Sequence, residues 1–313
     1  MSFHLFIKKF RKDNDMSQES FAQFLSKKIE GRQFIDTGTV SRWERRINTP
    51  SFHNQIYILR KLRLNVCIAS LLSEPEDEYG HEQAIKLLQN RFNRFSGLAD
   101  KPYRITFPRF KYTESNDVNS FLNDKILREF NNSVLGVEFL NSNFLHVLLL
   151  EVDHVRIIKF YRDGQIVGHT AYATIYTEKL VKFLAQYCKS SIHSHLCSDI
   201  DGKILLNFSS YASDFSLYLF YVYHMIKDIE LDPKIDWYVG HSFINDDWQI
   251  QKKLGAKLMA CGKSAEQGGV KIGKSYTDSV MFSTSASTLL SSSLSALKEE
   301  DIFQYADIVK LTQ

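Results

Sequence analysis

An all-α five-helix domain followed by an α/β (α+β) domain is the architecture the sequence predicts, and three observations carry that expectation. Apolar residues recur at helical spacing from Phe3 to Leu72. From Lys101 onward, β-rich runs alternate with helical ones, as strands and helices do around one sheet. Between the two lies Ser73-Glu74-Pro75-Glu76-Asp77-Glu78, an acidic, proline-bearing stretch that ends a helix and stays solvated. The expected divisions are residues 1–72, a linker and connecting helix over 73–100, and residues 101–313.

A chain of 313 residues that is 44% hydrophobic and 24% charged has the balance of a globular protein with a full core, which excludes disorder over most of its length. With 14 Gly and 5 Pro, collagen-like and low-complexity classes are excluded as well. No run approaches the roughly 18 apolar residues of a membrane span. The opening residues lack the order of charge, apolar run and cleavage site of a secretory signal. Cys67, Cys188, Cys197 and Cys261 are scattered and make no disulfide framework. The expected location is the cytoplasm, with no membrane partner.

Charge separates the two parts. Up to Leu72 the chain carries 7 Arg and 6 Lys against 6 acidic residues, whereas the net charge of the whole is only +3. Basic charge gathered in one small segment is the footprint of a nucleic-acid binder, and also of a merely soluble basic surface. Sequence detail has to separate them.

Leu5, Phe6 and Phe10 give a first helix its apolar groups. Ser17 is a good N-cap for a second, on which Phe21, Phe24 and Leu25 share a face. Asp36 can cap a third, with Val40 and Trp43 turned inward. Thr49-Pro50-Ser51 breaks and restarts the chain; Ile56, Leu59 and Leu62 line a fourth helix, and Val66 to Leu72 make a fifth. Met16-Ser17-Gln18-Glu19-Ser20-Phe21-Ala22, Thr39-Val40-Ser41-Arg42-Trp43-Glu44-Arg45 and Thr49-Pro50-Ser51, in that order, resemble the phage-repressor/Cro (XRE) helix-turn-helix family over residues 3–72. One departure is a connection between the second and third helices, Ser26 to Ile35, about five or six residues longer than the family's.

The resemblance implies a third helix that enters the major groove of a double-stranded DNA operator. By family position Thr37, Gly38, Thr39 and Ser41 would meet base edges, with Arg42 one turn on and able to pair with guanine O6 and N7. Gln18 would contact the backbone near a phosphate, and Arg45 and Arg46 would hold phosphates without reading sequence. Glu44 is expected to pair with an arginine, and Val40 and Trp43 to lie in the core. A small module reads few base pairs, so a homodimer is expected.

In the second part, Phe144–Val152, Val155–Tyr161 and Ile166–Tyr176 read as strands, the last two joined by a turn at Arg162-Asp163-Gly164-Gln165. Helices are expected over Thr177–Tyr187, Phe215–Ile229 and Asp246–Leu254, with strands at Ile204–Phe208, Asp236–His241, Ala256–Ala260 and Tyr276–Ser283. The central hairpin, the strand–helix–strand and Asn245-Asp246-Asp247-Trp248 leading to Lys253-Leu254-Gly255-Ala256 resemble the GNAT acyltransferase fold, including its acyl-homoserine-lactone-synthase relatives, over residues 130–285. Such enzymes hold acyl-coenzyme A pyrophosphate on a glycine-rich turn at a helix N-terminus. Here the equivalent stretch, Ser209-Ser210-Tyr211-Ala212-Ser213-Asp214-Phe215, has no glycine and carries an acid, and the family's tyrosine general acid falls on Lys252. A catalytically inactive GNAT-like domain for dimerisation or for sensing an acyl-type small molecule is therefore expected, with no cofactor and no catalytic residues; the alternative is an N-acyltransferase with an appended DNA-binding domain.

Three further signals are weighed down. Gly268 to Ser275 fits the P-loop pattern, but a strand follows it where a helix is needed, so a glycine-rich hairpin loop is expected. His193, His195 and Cys197, near Asp199 and Asp201, are zinc-type ligands at strand spacing, which a polar surface loop explains as well, and no metal is expected. The serines between Ser283 and Ser295 read as a flexible connection to a last helix, Glu299–Val309.

Overall fold

Hydroxyl and carboxylate side chains start the helices of the N-terminal part. The structure, a computed structural model, describes residues 2–29, 35–64, 71, 77–95, 108–133, 152, 154–187, 200–266 and 268–311. Helix α1 (Phe3–Asp13) is followed by α2 (Gln18–Lys28), whose first turn is capped by Ser17 accepting from the Ser20 amide. Asp36 caps α3 (Thr37–Glu44) through the Thr39 amide, and Ser51 caps α4 (Phe52–Lys61) through the Asn54 amide. Phe21, Leu25, Val40, Trp43 and Leu59 fill the core between them. The inward face of α1 is Phe3 and Ile7 at i and i+4, with Phe10 packed beside it, while Leu5 is exposed; the face lies one step round from the expected Leu5–Phe6–Phe10 set. Of the expected fifth helix only residue 71 is described.

The longer connection between α2 and α3 is closed at its neck. The Ser26 hydroxyl accepts from the Ile35 amide and donates to the Ile35 carbonyl, each at 3.3 Å.

Helix α5 (Asp77–Phe95) follows, and its inner face, Ala84, Leu88 and Phe92, is buried in the core of the α/β part. Next come β1 (Arg109–Ser115), α6 (Val118–Leu122), α7 (Lys125–Ser133), β2 (His154–Arg162), β3 (Gln165–Tyr176), α8 (Thr177–Tyr187), β4 (Lys203–Ala212), α9 (Phe215–Leu231), β5 (Ile235–Ser242), α10 (Asn245–Lys253) and β6 (Lys257–Cys261). Strands β7 (Ser264–Ala265), β8 (Val270–Ile272) and β9 (Ser275–Thr277) make a small separate sheet; then come β10 (Val280–Ser285), α11 (Ala286–Leu290), a 3-10 turn (Ser293–Ala296), α12 (Glu299–Phe303) and β11 (Asp307–Lys310). Among the described residues the main sheet is mixed and eight-stranded, ordered β11-β1-β2-β3-β4-β5-β10-β6, with β1–β11 and β4–β5 parallel and the other described pairs antiparallel. Asp163 and Gly164, both at positive φ, turn the β2–β3 hairpin as a two-residue loop requires.

The chain differs from expectation after Ser283. That serine-rich run is ordered: Ser285 caps α11 through the Thr288 amide, and Ser292 starts the 3-10 turn through the Leu294 amide. Leu289, Leu290, Leu294 and Leu297, interleaved with those serines, are buried. The last helix stops at Phe303, because Ile308 and its neighbours instead form β11 and pair with Arg109–Tyr112. Gly268–Ser275 lies on the β8–β9 hairpin, with Gly273 at positive φ in its turn, as expected. The strand expected over 144–152 falls almost wholly outside the described residues.

Arg60, on α4, joins the two parts. Its guanidinium donates to the carbonyls of Ile229 (2.8 Å), Asp232 (3.1 Å) and Ile235, at the end of α9 and the start of β5. The residue is 8% exposed. Burial lowers its pKa to about 10, against the pull of Asp236 and Asp232, so it stays charged at neutral pH. Beside it Arg63 donates to the Pro233 carbonyl and reaches Asp236 at 3.3 Å, and Ile56 of α4 belongs to the same core cluster as α9. Replacing Arg60 by Leu removes the guanidinium from three carbonyls, of which that of Asp232 keeps the Ile235 amide, and each lost bond is worth about 1 kcal/mol or more. Arg60→Leu is expected to lower unfolding stability by about 3 kcal/mol and to loosen the bundle, measured by denaturant unfolding and by limited proteolysis between residues 64 and 77.

Candidate functional site

Two places gather polar side chains that the fold does not need for packing alone. The first is the outer surface of α3. Thr37 and Gly38 are exposed, and Thr39 and Ser41 half-buried. The Arg42 side chain folds back along the helix: its Nη2 donates to Thr39 Oγ1 at 3.0 Å and lies 3.8 Å from Asp36 Oδ1. A Cβ built on Gly38 would come 3.3 Å from Arg42 Nη1, so the missing side chain leaves room for that arrangement. Gly38, Thr39 and Arg42 thus meet around the first turn, with Thr37 beside them.

The remaining basic residues sit at the far end of α3. Arg45 donates from Nε to the Ser41 carbonyl, and Arg46 donates from Nε to His4 of α1 at 2.7 Å. Arg46 has φ 61°, the left-handed turn that ends the helix, which aims its side chain back toward α1.

Gln18 is placed differently from a free phosphate contact. Its amide donates to Glu44 Oε2 at 2.8 Å. Glu44 is 8% exposed and also receives Arg11, Nε to Oε1 at 2.6 Å and Nη2 to Oε2 at 3.0 Å, while Arg11 Nη1 donates to the Met16 carbonyl. Burial opposes the Glu44 charge, but the bonds from Arg11 and Gln18 outweigh it and hold the carboxyl below its usual range. This network spans α1, α2 and α3 and fixes the angle at which α3 is presented. The expected arginine partner of Glu44 is therefore Arg11.

The second place is the gap between β4 and β5. Their pairing ends at Leu206–Val239, yet β4 runs on to Ala212 and β5 to Ser242. A bulge at Phe208 in the β3–β4 ladder adds to the bend. The gap encloses a cavity of about 80 Å³, lined by Asn207, Ser209, Tyr218, Tyr221, His241 and Asp247 and closed by Phe92 of α5. His241 Nδ1 lies 3.2 Å from the Asn207 carbonyl and bridges the two strands. Ser209 Oγ lies 2.7 Å from His169 Nε2 on β3, and Thr170 and Ser210 pair beside them at 2.8 Å.

At the mouth of this gap Asp214 caps α9, accepting from the Ser216 amide (2.9 Å) and hydroxyl (2.7 Å), so a carboxylate already satisfies this helix N-terminus. Phe92 and Tyr305 pack their rings 5.9 and 5.2 Å from Phe215 and cover the same turn. Asn245 accepts from the Lys271 amide, and Lys252, the position of the family's tyrosine, lies over the Trp248 ring at 5.6 Å. About 80 Å³ is also far below the ~300 Å³ at which small-molecule sites begin.

His193, His195, Cys197 and Asp199 lie outside the described residues; among the described residues no group of three His, Cys, Asp or Glu could hold a metal. Among the described residues, too, no helix is long and apolar enough to cross a membrane. Sequence reasoning missed the His169–Ser209 contact because the two residues are 40 positions apart; the run Asn207-Phe208-Ser209-Ser210, polar where a central strand is ordinarily apolar, was the available signal.

No family model matches the chain, and no curated protein matches it. Solved structures similar to its C-terminal part are acetyltransferase-like: Arabidopsis thaliana NAA60 in complex with acetyl-CoA (12% identity, 56% of this chain and 99% of that one, TM-score 0.33), and an N-acetyltransferase from Staphylococcus aureus (12%, 56% and 97%, TM-score 0.31). A probable acetyltransferase from Staphylococcus epidermidis covers 56% of this chain and 98% of its own at 13% identity and TM-score 0.29. Their names agree with the enzyme alternative rather than with a DNA-binding regulator, and at these TM-scores they assign this chain no activity.

The α/β core carries a pH signature. Burial lowers the pKa of His169, His224 and His241 to about 4 each, with Lys159 adding to the effect at His169 and Arg156 at His224, and the Asn207 carbonyl opposing it at His241. The unfolded chain takes up these protons near pH 6.5 and the folded chain does not. Stability is therefore complete above pH 6.5 and falls from there toward pH 4, by up to about 1.4 kcal/mol per pH unit for each histidine. Urea midpoints recorded between pH 7.5 and 4.5 should decline across that window, and His241→Asn should reduce the slope.

Proposed function

We infer that the chain is a sequence-specific DNA-binding transcriptional regulator, acting as a homodimer, whose GNAT-like part is catalytically inactive and serves sensing or dimerisation. The observation that carries this reading is the grouping of Thr37, Gly38, Thr39 and Arg42 on the solvent side of α3, a helix held at a set angle by the half-buried Arg11 and Gln18 on the buried Glu44. A segment with 13 basic and 6 acidic residues supplies the attraction to phosphate. In this reading Arg42 reads a base, Thr37, Thr39 and Ser41 approach base edges, and Arg45 and Arg46 hold the backbone. Gln18 works through Glu44 as a positioning residue, keeping its place near the backbone as a secondary contact.

Fluorescence anisotropy on a duplex selected by the full chain tests the division of roles. Arg42→Ala should cut discrimination between selected and random duplex by about 1–3 kcal/mol, while Arg46→Ala should weaken both alike. Equal losses on both duplexes from both variants would refute the assignment.

The second reading, an N-acyltransferase, has in its favour the divergence of β4 and β5, whose gap is open to acyl chemistry once α5 is lifted away. The similar structure of Arabidopsis thaliana NAA60 is a complex with acetyl-CoA. Against it stand the carboxylate cap of Asp214 and the cover of Phe92 and Tyr305. Calorimetric titration of acetyl-CoA into the full chain should give no saturable heat; tight binding with turnover of an amine would establish the enzyme instead.

A further inference from the structure

We propose that the cleft between the bundle and the sheet binds a phosphorylated small molecule of nucleotide size. The cleft measures about 890 Å³, within the range of small-molecule sites. It is separate from the β4–β5 cavity and shares no lining residue with it.

Its charge is one-sided. Lys27 and Lys28 from the end of α2, Lys61 from α4 and Lys257 from β6 all line it, against a single carboxylate, Asp201, among the described residues. Two of the ammonium groups are laid on aromatic rings, Lys28 Nζ 5.8 Å over Phe24 and Lys61 Nζ 5.7 Å over Tyr57. Ring faces hold such cations in place while leaving their N–H groups directed outward. Four like charges brought into one concavity repel one another, and a polyanion is the partner that relieves this.

The sheet side, which also carries Lys257 beside Ser283, is hydroxylic. Ser283, Ser285, Ser287 and Thr288 come from β10 and α11, and Ser283 is only 2% exposed. Ser285 Oγ meets Ser287 Oγ at 3.2 Å and Thr288 Oγ1 at 2.7 Å, so these hydroxyls form a linked polar wall, and the ammonium groups are the charge-assisted donors for phosphate oxygens. Tyr57 and Trp237 also line the cleft and offer half-buried aromatic faces against which a planar ring can stack. His53 of α4 meets Ser291 at 3.1 Å, which pins the bundle to the segment after α11 at this edge. The concavity is walled by α2 and α4 on the bundle side and by β5, β6, β10 and α11 on the sheet side, and its size suits a compact phosphorylated ligand.

A ligand here touches α2, the helix before the one that carries Arg42, yet its binding can be measured without DNA and stands or falls independently of the DNA-binding reading. Equilibrium dialysis of the full chain against ATP, with inorganic pyrophosphate as competitor, is the test. Wild type should bind ATP saturably, and Lys28→Gln/Lys257→Gln should weaken it about tenfold or more, as loss of charge-assisted contacts predicts. Lys182→Gln, an exposed lysine on α8, should leave binding unchanged. Pyrophosphate should compete only weakly, since it meets the lysines and not Tyr57 or Trp237. Absence of saturable ATP binding, binding that the double variant leaves intact, or pyrophosphate competing as well as ATP itself would each overturn the proposal.

Discussion

Arg60 is the constraint on which the arrangement of this molecule rests. A guanidinium offers five donors in a planar fork, and here they meet three carbonyls that the end of α9 and the turn into β5 leave without helical partners. The bundle and the sheet are thereby held as neighbours through a polar contact inside an apolar seam that includes Ile56 and Leu290. Desolvating a charge is costly, and the carbonyl cage with Asp232 and Asp236 nearby offsets that cost.

The same sheet shows how one strand divergence can be put to different uses. Parallel strands that separate beyond Leu206 and Val239 expose backbone and side chains to a shared gap. In this chain the gap is reclaimed: Asp214 satisfies the first turn of α9 from within, and α5 lays Phe92 across the opening. The result is a small polar cavity, with Ser209 in its lining bonded to the buried His169 beside it. An anionic side chain at a helix N-terminus is the cheapest competitor for an anionic ligand there, because it is always present at high local concentration.

Much of this was legible in the residues. Ser17, Asp36 and Ser51 marked three helix starts, and Asp163-Gly164 marked the hairpin, because caps and tight turns are local physics. Asp214, the acid in the glycine-free run from Ser209 to Phe215, is the cap of α9. What escaped was non-local. Arg60 stands beside the apolar stripe of α4 and resembles any solvated arginine until the carbonyls of residues 229–235 are placed next to it. The serines after Ser283 resemble a linker by composition, but as caps interleaved with buried leucines they build ordered turns. Gln18, expected at a phosphate, is drawn inward by Glu44, a carboxylate 26 residues away.

The central claim is that α3 presents a base-reading surface. Selection of duplexes from a random pool by the full chain at low ionic strength tests it most directly. The account predicts enrichment of one motif with two related half-sites, lost when Thr39 and Arg42 are both replaced by alanine; a pool that stays random through repeated rounds would contradict it.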